Sequence, residues 1–398
     1  MARAVVMHTV NVSGYVPFNV DIPTVALWEK STACGQLIRD NMHWCEYAVG
    51  QPHSQPHFFE DIMEMVPRKS FKKKDPFKKK ARDIKHCWLQ GAQHCVEHNA
   101  VCSVPSADFS VAGLPCTDMS KAGKRAFREG ATAPVYAVHG KFHGHKQTPL
   151  LLLECTPDLD MDMVMQTHPD YDFFQLFTEP ADSGHFAMAR ARTYVIGRHK
   201  KKTCCLRDPF ELHARIKDAV HRYVTTKPSD YLVATKGEVL MEAEACARQR
   251  GIPFQPGCLN LWYLLLQREQ EVVEKLNGEY MRRFGDDPCQ NPNLCYYLGD
   301  SAEYRTWSAS SGKVPTFRLG SKTAKYWFPM FQRWLTAKER LSLMGFPVVP
   351  ELAASMLVGQ YPATDVGRAS DVCGNAMHFN CSALMQMLAL SCFGPSDL

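Results

Sequence analysis

The run Pro149-Leu150-Leu151-Leu152-Leu153-Glu154-Cys155-Thr156-Pro157 constrains the fold more than any other stretch of this chain. A short, continuous apolar run that stops at an acid and a proline reads as a strand buried on both faces, the kind found in parallel sheets covered by helices. The flanking pattern agrees. Phe109 to Ala112 form a second short buried strand, broken at Gly113 and Pro115. A helical pattern covers 158–167, Tyr171 to Thr178 reads as a strand, and Ala187 to Gly197 as another, with Arg190 and Arg192 spaced to share one face. Strands alternating with helices through residue 197 indicate an α/β domain with a mainly parallel sheet.

The remainder is less rhythmic. Residues 1–20 carry strand-like alternation, 24–38 a helical face, 42–49 and 58–62 strand-like runs that contain acids, and 84–101 a helix. Beyond 197 the pattern mixes basic loops, a helical 260–284 and a turn-rich 286–295, which reads as a separate irregular domain inserted into the first. Helices expected at about 336–344, 350–358 and 374–391 then restore order. The boundaries implied are 1–197, 198–330 and 331–398.

No apolar run approaches the roughly 20 residues of a membrane span, and the first residues lack a secretory pattern, so a soluble, intracellular protein with reduced cysteines is expected. The net charge of +5 is modest, but the basic residues cluster. Arg68 to Arg82 forms one dense run with the look of an inserted surface loop, and Arg198 to Lys202 another. Such runs are solvated loops, polyanion contacts or nuclear-import signals.

Chemistry enters at Gly113-Leu-Pro-Cys116, where a cysteine follows a proline at the carboxyl end of a strand, the edge at which open α/β sheets bind ligands. Cys116, Glu154, Arg190 and Arg192 each fall at or near a strand end. A thiol, a carboxylic acid and two arginines at one edge suit addition to an electron-poor, hydrogen-bonding ring. His94-Cys95-x-x-His98-x-x-x-Cys102 has ligand-like spacing, as does the Cys289 and Cys295 pair, but neither completes a four-ligand pattern and no metal is expected.

From about Glu46 onward the chain resembles the DNA cytosine-5 methyltransferases. Gly113-Leu-Pro-Cys116-x-x-x-Ser120-x-x-Gly123 is similar to the family's Pro-Cys motif, Glu154-Cys-Thr to its Glu-Asn-Val motif, and Arg190-Ala-Arg192 to its Gln-x-Arg-x-Arg motif, with Met188 in place of the glutamine. Arg333-Trp-Leu-Thr336-x-x-Glu339-Arg340-Leu341 through Pro347 resembles the block after the target-recognition domain, and Gly374-Asn375-Ala376 the closing Gly-Asn motif. The resemblance implies a Rossmann-like fold dependent on S-adenosylmethionine, with residues 198–330 as the target-recognition domain. It also implies methylation of carbon 5 of a cytosine flipped out of double-stranded DNA. Cys116 would attack, Glu154 would hold and protonate the ring, Arg192 would contact the base and help form the thiolate, and Arg190 would support the site. Glu46, Asp61 and Asn375 would bind the cofactor, and the protein would be nuclear in a eukaryote. The family's glycine-rich cofactor loop has no counterpart, because no Gly-x-Gly occurs in the chain. Two alternatives follow: an impaired relative that binds DNA or a partner, and an RNA cytosine methyltransferase.

Overall fold

The computed structural model describes residues 23–49, 55–120, 123, 125–318, 324–356, 358–359 and 361–396, with backbone alone for 45–49. The strand expected in 1–20 lies outside the described residues.

The described residues open with β1 (Ala26–Trp28), α1 (Thr32–Val49) and β2 (His57–Phe59), and β1 and β2 pair in parallel. The helix expected at 24–38 therefore begins later, and the strand expected at 42–49 is its continuation. Glu46 lies on that helix. Gly35 is tolerated inside α1 because a Cβ there would sit 3.0 Å from the Phe58 ring, so the helix packs directly on β2.

The basic segment is only partly a loop. Its second half forms α2 (Phe77–His86), in which Phe77, Lys80 and Ile84 turn inward at helical spacing and the other lysines stay outside. The helix expected over 84–101 ends at His86. An antiparallel hairpin follows, β3 (Ala92–Cys95) with β4 (Ala100–Ser103). In β3 burial alternates with period two, which local composition did not reveal.

The central sheet comprises β5 (Phe109–Gly113), β6 (Leu150–Cys155), β7 (Tyr171–Thr178) and β8 (Arg192–His199) in the order β5-β6-β8-β7. Helix α3 (Ala133–Lys146) links β5 to β6, and α4 (Met161–Thr167) links β6 to β7. Three strands run one way, and β8, antiparallel to both neighbours, makes the sheet mixed. The four leucines explain the layering. Leu151 and Leu153, with Val195, pack on Ala133, Tyr136, Met163 and Val164 of α3 and α4. Leu150 and Leu152, with Tyr194 and Ile196, pack on Met385, Leu388 and Ala389 of a C-terminal helix. Each buried leucine contributes about 1.5–3 kcal/mol, so the strand is held from both sides. Gly140 marks a close helix contact: a Cβ there would stand 2.2 Å from the Thr167 carbonyl at the end of α4. The architecture is α/β and Rossmann-like.

Among its described residues, the region read as irregular contains two α-helices besides the one expected within 260–284. After β9 (Thr203–Cys205) come α5 (Pro209–Tyr223), α6 (Lys236–Arg250) and α7 (Gln267–Phe284). Helix α6 carries a Thr235–Glu238 capping box and a left-handed Gly251, at φ 66°, just beyond its end. Val239, Leu264, Val273 and Leu276 form a core there with Trp307, Trp327 and Trp334. A small antiparallel sheet of β10 (Tyr296–Tyr297), β11 (Tyr326–Phe328) and β12 (Arg333–Trp334) adjoins it. Then follow α8 (Ala337–Leu343), α9 (Pro350–Ser355), α10 (Val366–Asn375), α11 (Phe379–Cys392) and β13 (Phe393–Pro395), which pairs with β9. Helix α11 is the C-terminal helix that covers the leucine strand.

Candidate active site

Beyond Gly113 the chain leaves β5 and turns at once. The Met119 and Ser120 N–H groups both donate to the Cys116 carbonyl at 2.9 Å. Buried Tyr136 of α3 donates its hydroxyl to the Pro115 carbonyl at 3.1 Å, and the Asp118 carboxylate accepts from the Thr132 N–H and hydroxyl at 2.9 and 2.7 Å. The loop that carries the thiol is thus tied to the helix behind it. Neither Tyr136 nor Asp118 announced this in the sequence, since both partners are distant along the chain.

Glu154 arrives at the same edge because β6 pairs with β5 in parallel, with Glu154 opposite Gly113. Arg192 arrives by the opposite logic: it starts β8, and the reversal of that strand sets its beginning beside the ends of its neighbours. Its Nε lies 3.1 Å from Glu154 Oε1. Burial pushes the Glu154 carboxyl above its usual range, and the pull of Arg192 and Arg190 only partly opposes this. Cys116 is half-buried. Burial and then the Glu154 carboxylate push its thiol up, and the arginines lower it by less, so the expected thiolate-forming effect of Arg192 is outweighed while Glu154 is charged. The two acids are coupled: a proton taken up by Glu154 removes one of the causes that hold a proton on Cys116.

Arg190, two residues before Arg192, acts by its charge on both Cys116 and Glu154, but from within the core. It is buried, 3% exposed, and donates to the Cys373 carbonyl at 3.4 Å and the Ala376 carbonyl at 2.7 Å, which braces the end of α10. Burial and the neighbouring Arg192 bring its pKa down to about 10. Just before it, Ala187 to Ala189 pair with Val314: the Val314 N–H donates to the Ala187 carbonyl at 2.6 Å, and the Ala189 N–H donates to the Val314 carbonyl at 3.0 Å. Met188 is fully buried in that junction, an apolar role where the resemblance has glutamine.

The residues assigned to a cofactor are not brought together in the same way. The loop between β1 and α1 is Glu29-Lys30-Ser31, without glycine, and the Ser31 N–H donates to Glu29 Oε1 at 2.7 Å. Asp61 accepts from the Met63 N–H with one oxygen and pairs with Lys30 at 2.8 Å with the other. Asn375, at the end of α10, has a long contact of 3.9 Å to Cys34 Sγ of α1. The Glu46 side chain lies outside the described residues. Of the assigned residues whose side chains are described, Asp61 and Asn375 each have a partner within the chain. A cavity of about 370 Å³ lined by Glu242, Cys246, Arg250, Lys325 and Asp365 shares no residue with the Cys116 site.

The block at 333–341 is a structural knot. Glu339, fully buried, accepts two bonds of 2.8 Å from Arg333, one of 2.9 Å from the Thr336 N–H and one of 3.1 Å from the Ala234 N–H, and closes a capping box on α8. Arg340, also buried, donates to the Ala324 carbonyl.

Fold and site together define a Rossmann-like α/β protein with a cysteine, a glutamic acid and an arginine converging at the edge where its parallel strands end. No family model and no curated protein matches the chain. Among solved structures, a Spodoptera frugiperda DNMT2 triple mutant is similar at a TM-score of 0.42 and 10% identity over 97% of this chain and 96% of that one. The Dnmt2 methyltransferase of S. pombe is similar at 0.41 and 12% over 92% and 99%, and the Entamoeba histolytica methyltransferase EhMeth at 0.38 and 10% over 93% and 99%. Likeness at this level carries no inference about chemistry.

Proposed function

We propose that the chain is a cytosine-5 methyltransferase whose substrate is double-stranded DNA and whose methyl donor is S-adenosylmethionine. The observation that carries the reading is the convergence of Cys116, Glu154 and Arg192 at one strand edge, with the Glu154 carboxyl raised by burial toward the protonated form that a ring nitrogen requires. In this reading the Cys116 thiolate would add to carbon 6 of a flipped-out cytosine while the Glu154 proton goes to N3, and the donor, when bound, would supply a methyl group to carbon 5 and leave as the neutral thioether. Loss of the carbon 5 proton to water would then expel the Cys116 thiolate, and return of the N3 proton to Glu154 would restore the ring. Arg192 holds Glu154 and faces the base, and Arg190 is a positioning residue. Residues 198–330 would read the target, 331–398 would complete the catalytic domain, and the lysines outside α2 would meet phosphates. The same basic runs support nuclear import in a eukaryote.

A second reading, favoured by the glycine-free loop and the Lys30–Asp61 pair, is a relative that binds DNA or a partner without methyl transfer. The experiment measures donor binding by calorimetry and transfer of labelled methyl to cytosine-containing duplex DNA and to RNA. Transfer to duplex DNA that disappears in Cys116→Ser is expected. Duplex binding without donor binding or transfer would establish the second reading, and transfer to RNA alone would move the substrate.

A further inference from the structure

A second cluster lies away from Cys116, on the β2 strand and the β3–β4 hairpin. His57, Cys95, His98 and Cys102 each offer a ligand atom, and these atoms all lie within 4.8 Å of one another. Sequence spacing had suggested His94, but alternation along β3 sends Gln93 and Cys95 inward and leaves His94 exposed. Cys102 stands opposite Gln93 in the hairpin, hence on the same face as Cys95. Asn99, at φ 47°, lets the chain reverse between the strands, and His98 sits in that reversal. His57 completes the set from β2, whose Phe58 carbonyl accepts from the Val96 N–H at 2.8 Å. No reading of spacing could find it, because it precedes the hairpin by a long stretch of chain.

The geometry points to a structural zinc site of the two-cysteine, two-histidine class. His98 Nδ1 lies 3.3 Å from Cys95 Sγ and 3.6 Å from Cys102 Sγ. Ligand atoms of a tetrahedral zinc with Zn–S of ~2.3 Å and Zn–N of ~2.0 Å stand about 3.3–3.8 Å apart, so both spacings fit as they are. The His57 and His98 rings are 4.8 Å apart at 74°, and among the described residues the buried His57 Nδ1 has no hydrogen-bond partner. A buried ring nitrogen left so costs about 1–3 kcal/mol, a cost that a bound metal at this cluster would relieve. The Phe58 N–H donates to Cys95 Sγ at 3.3 Å, the outer contact that steadies a metal thiolate. Four protein ligands leave no open position, so the ion would clip β2 to the hairpin rather than catalyse.

The test uses the full chain, purified without chelators, with zinc measured by mass spectrometry and cobalt substituted for zinc to read thiolate charge-transfer absorption. One zinc per chain and a tetrahedral cobalt spectrum with thiolate bands are expected. Cys102→Ser and His98→Ala, both at the solvent edge, should retain roughly tenfold less metal, whereas His94→Ala and Cys116→Ser should retain it fully. Should the ligand variants fail to fold, the wild-type cobalt spectrum still decides. Absence of metal, a spectrum without thiolate bands, undiminished metal in Cys102→Ser, or a Cys95–Cys102 disulfide in the isolated protein would overturn the proposal.

Discussion

Replacing Glu154 by glutamine distinguishes the proposed acid from a carboxylate that merely holds Arg192. The pair stands at 3.1 Å with side chains 12% and 16% exposed. At an effective dielectric of ~20 the two charges attract by about 5 kcal/mol, while withdrawing a carboxylate from water costs several kcal/mol, so the net worth of the pair is small. Glutamine keeps the shape and an oxygen for Arg192, which also bonds the Ala191 carbonyl at 2.8 Å, so stability by urea unfolding should change by no more than about 2 kcal/mol. Methyl transfer should nonetheless fall ~10²–10⁴-fold, the usual worth of a positioned acid, or about 3–5 kcal/mol on the barrier. Alkylation of Cys116 by iodoacetamide, mapped by mass spectrometry, should go the other way. With the carboxylate gone, Arg192 and Arg190 act on the thiol unopposed by any charge, and the reactive thiolate fraction rises. Slower alkylation in Glu154→Gln, or transfer kept near the wild-type rate, would refute the coupling and the acid role respectively.

Two further outcomes concern stability. Glu339→Ala strands the Arg333 guanidinium and opens the capping box of α8, and should cost about 3–5 kcal/mol in urea unfolding; a loss under ~1 kcal/mol would show that the knot is not where this region is held. The buried rings of His143 and His168 have pKa values lowered to about 3 and about 4, chiefly by burial, so the unfolded chain binds protons that the folded chain refuses. Their stability is whole above the unfolded value of ~6.5 and is lost as pH falls toward 4, about 2 kcal/mol for each ring by pH ~5. A flat urea midpoint between pH ~7.5 and ~5, or an unchanged slope in His168→Gln, would contradict this.

The capping boxes at Thr235–Glu238 and Thr336–Glu339 were legible as Thr-x-x-Glu, and helix α6 could have been found from the first. The hairpin at 92–103 and the helical course of 42–49 were not. Short segments of mixed polarity take the conformation that their neighbours allow, and for the hairpin that neighbour is β2, whose Phe58 carbonyl accepts from the Val96 N–H.

The sequence by itself determined the buried strand at Leu150–Leu153 and the break at Gly113 that ends a strand just before Cys116, because each depends on residues adjacent in the chain. Tertiary structure alone decided the rest. It reversed β8 so that Arg192 meets Glu154, set Arg190 to brace α10, closed Lys30 on Asp61, and carried His57 to Cys95, His98 and Cys102. Those outcomes depend on strand direction and on contacts between segments far apart in the chain, which periodicity and spacing do not encode.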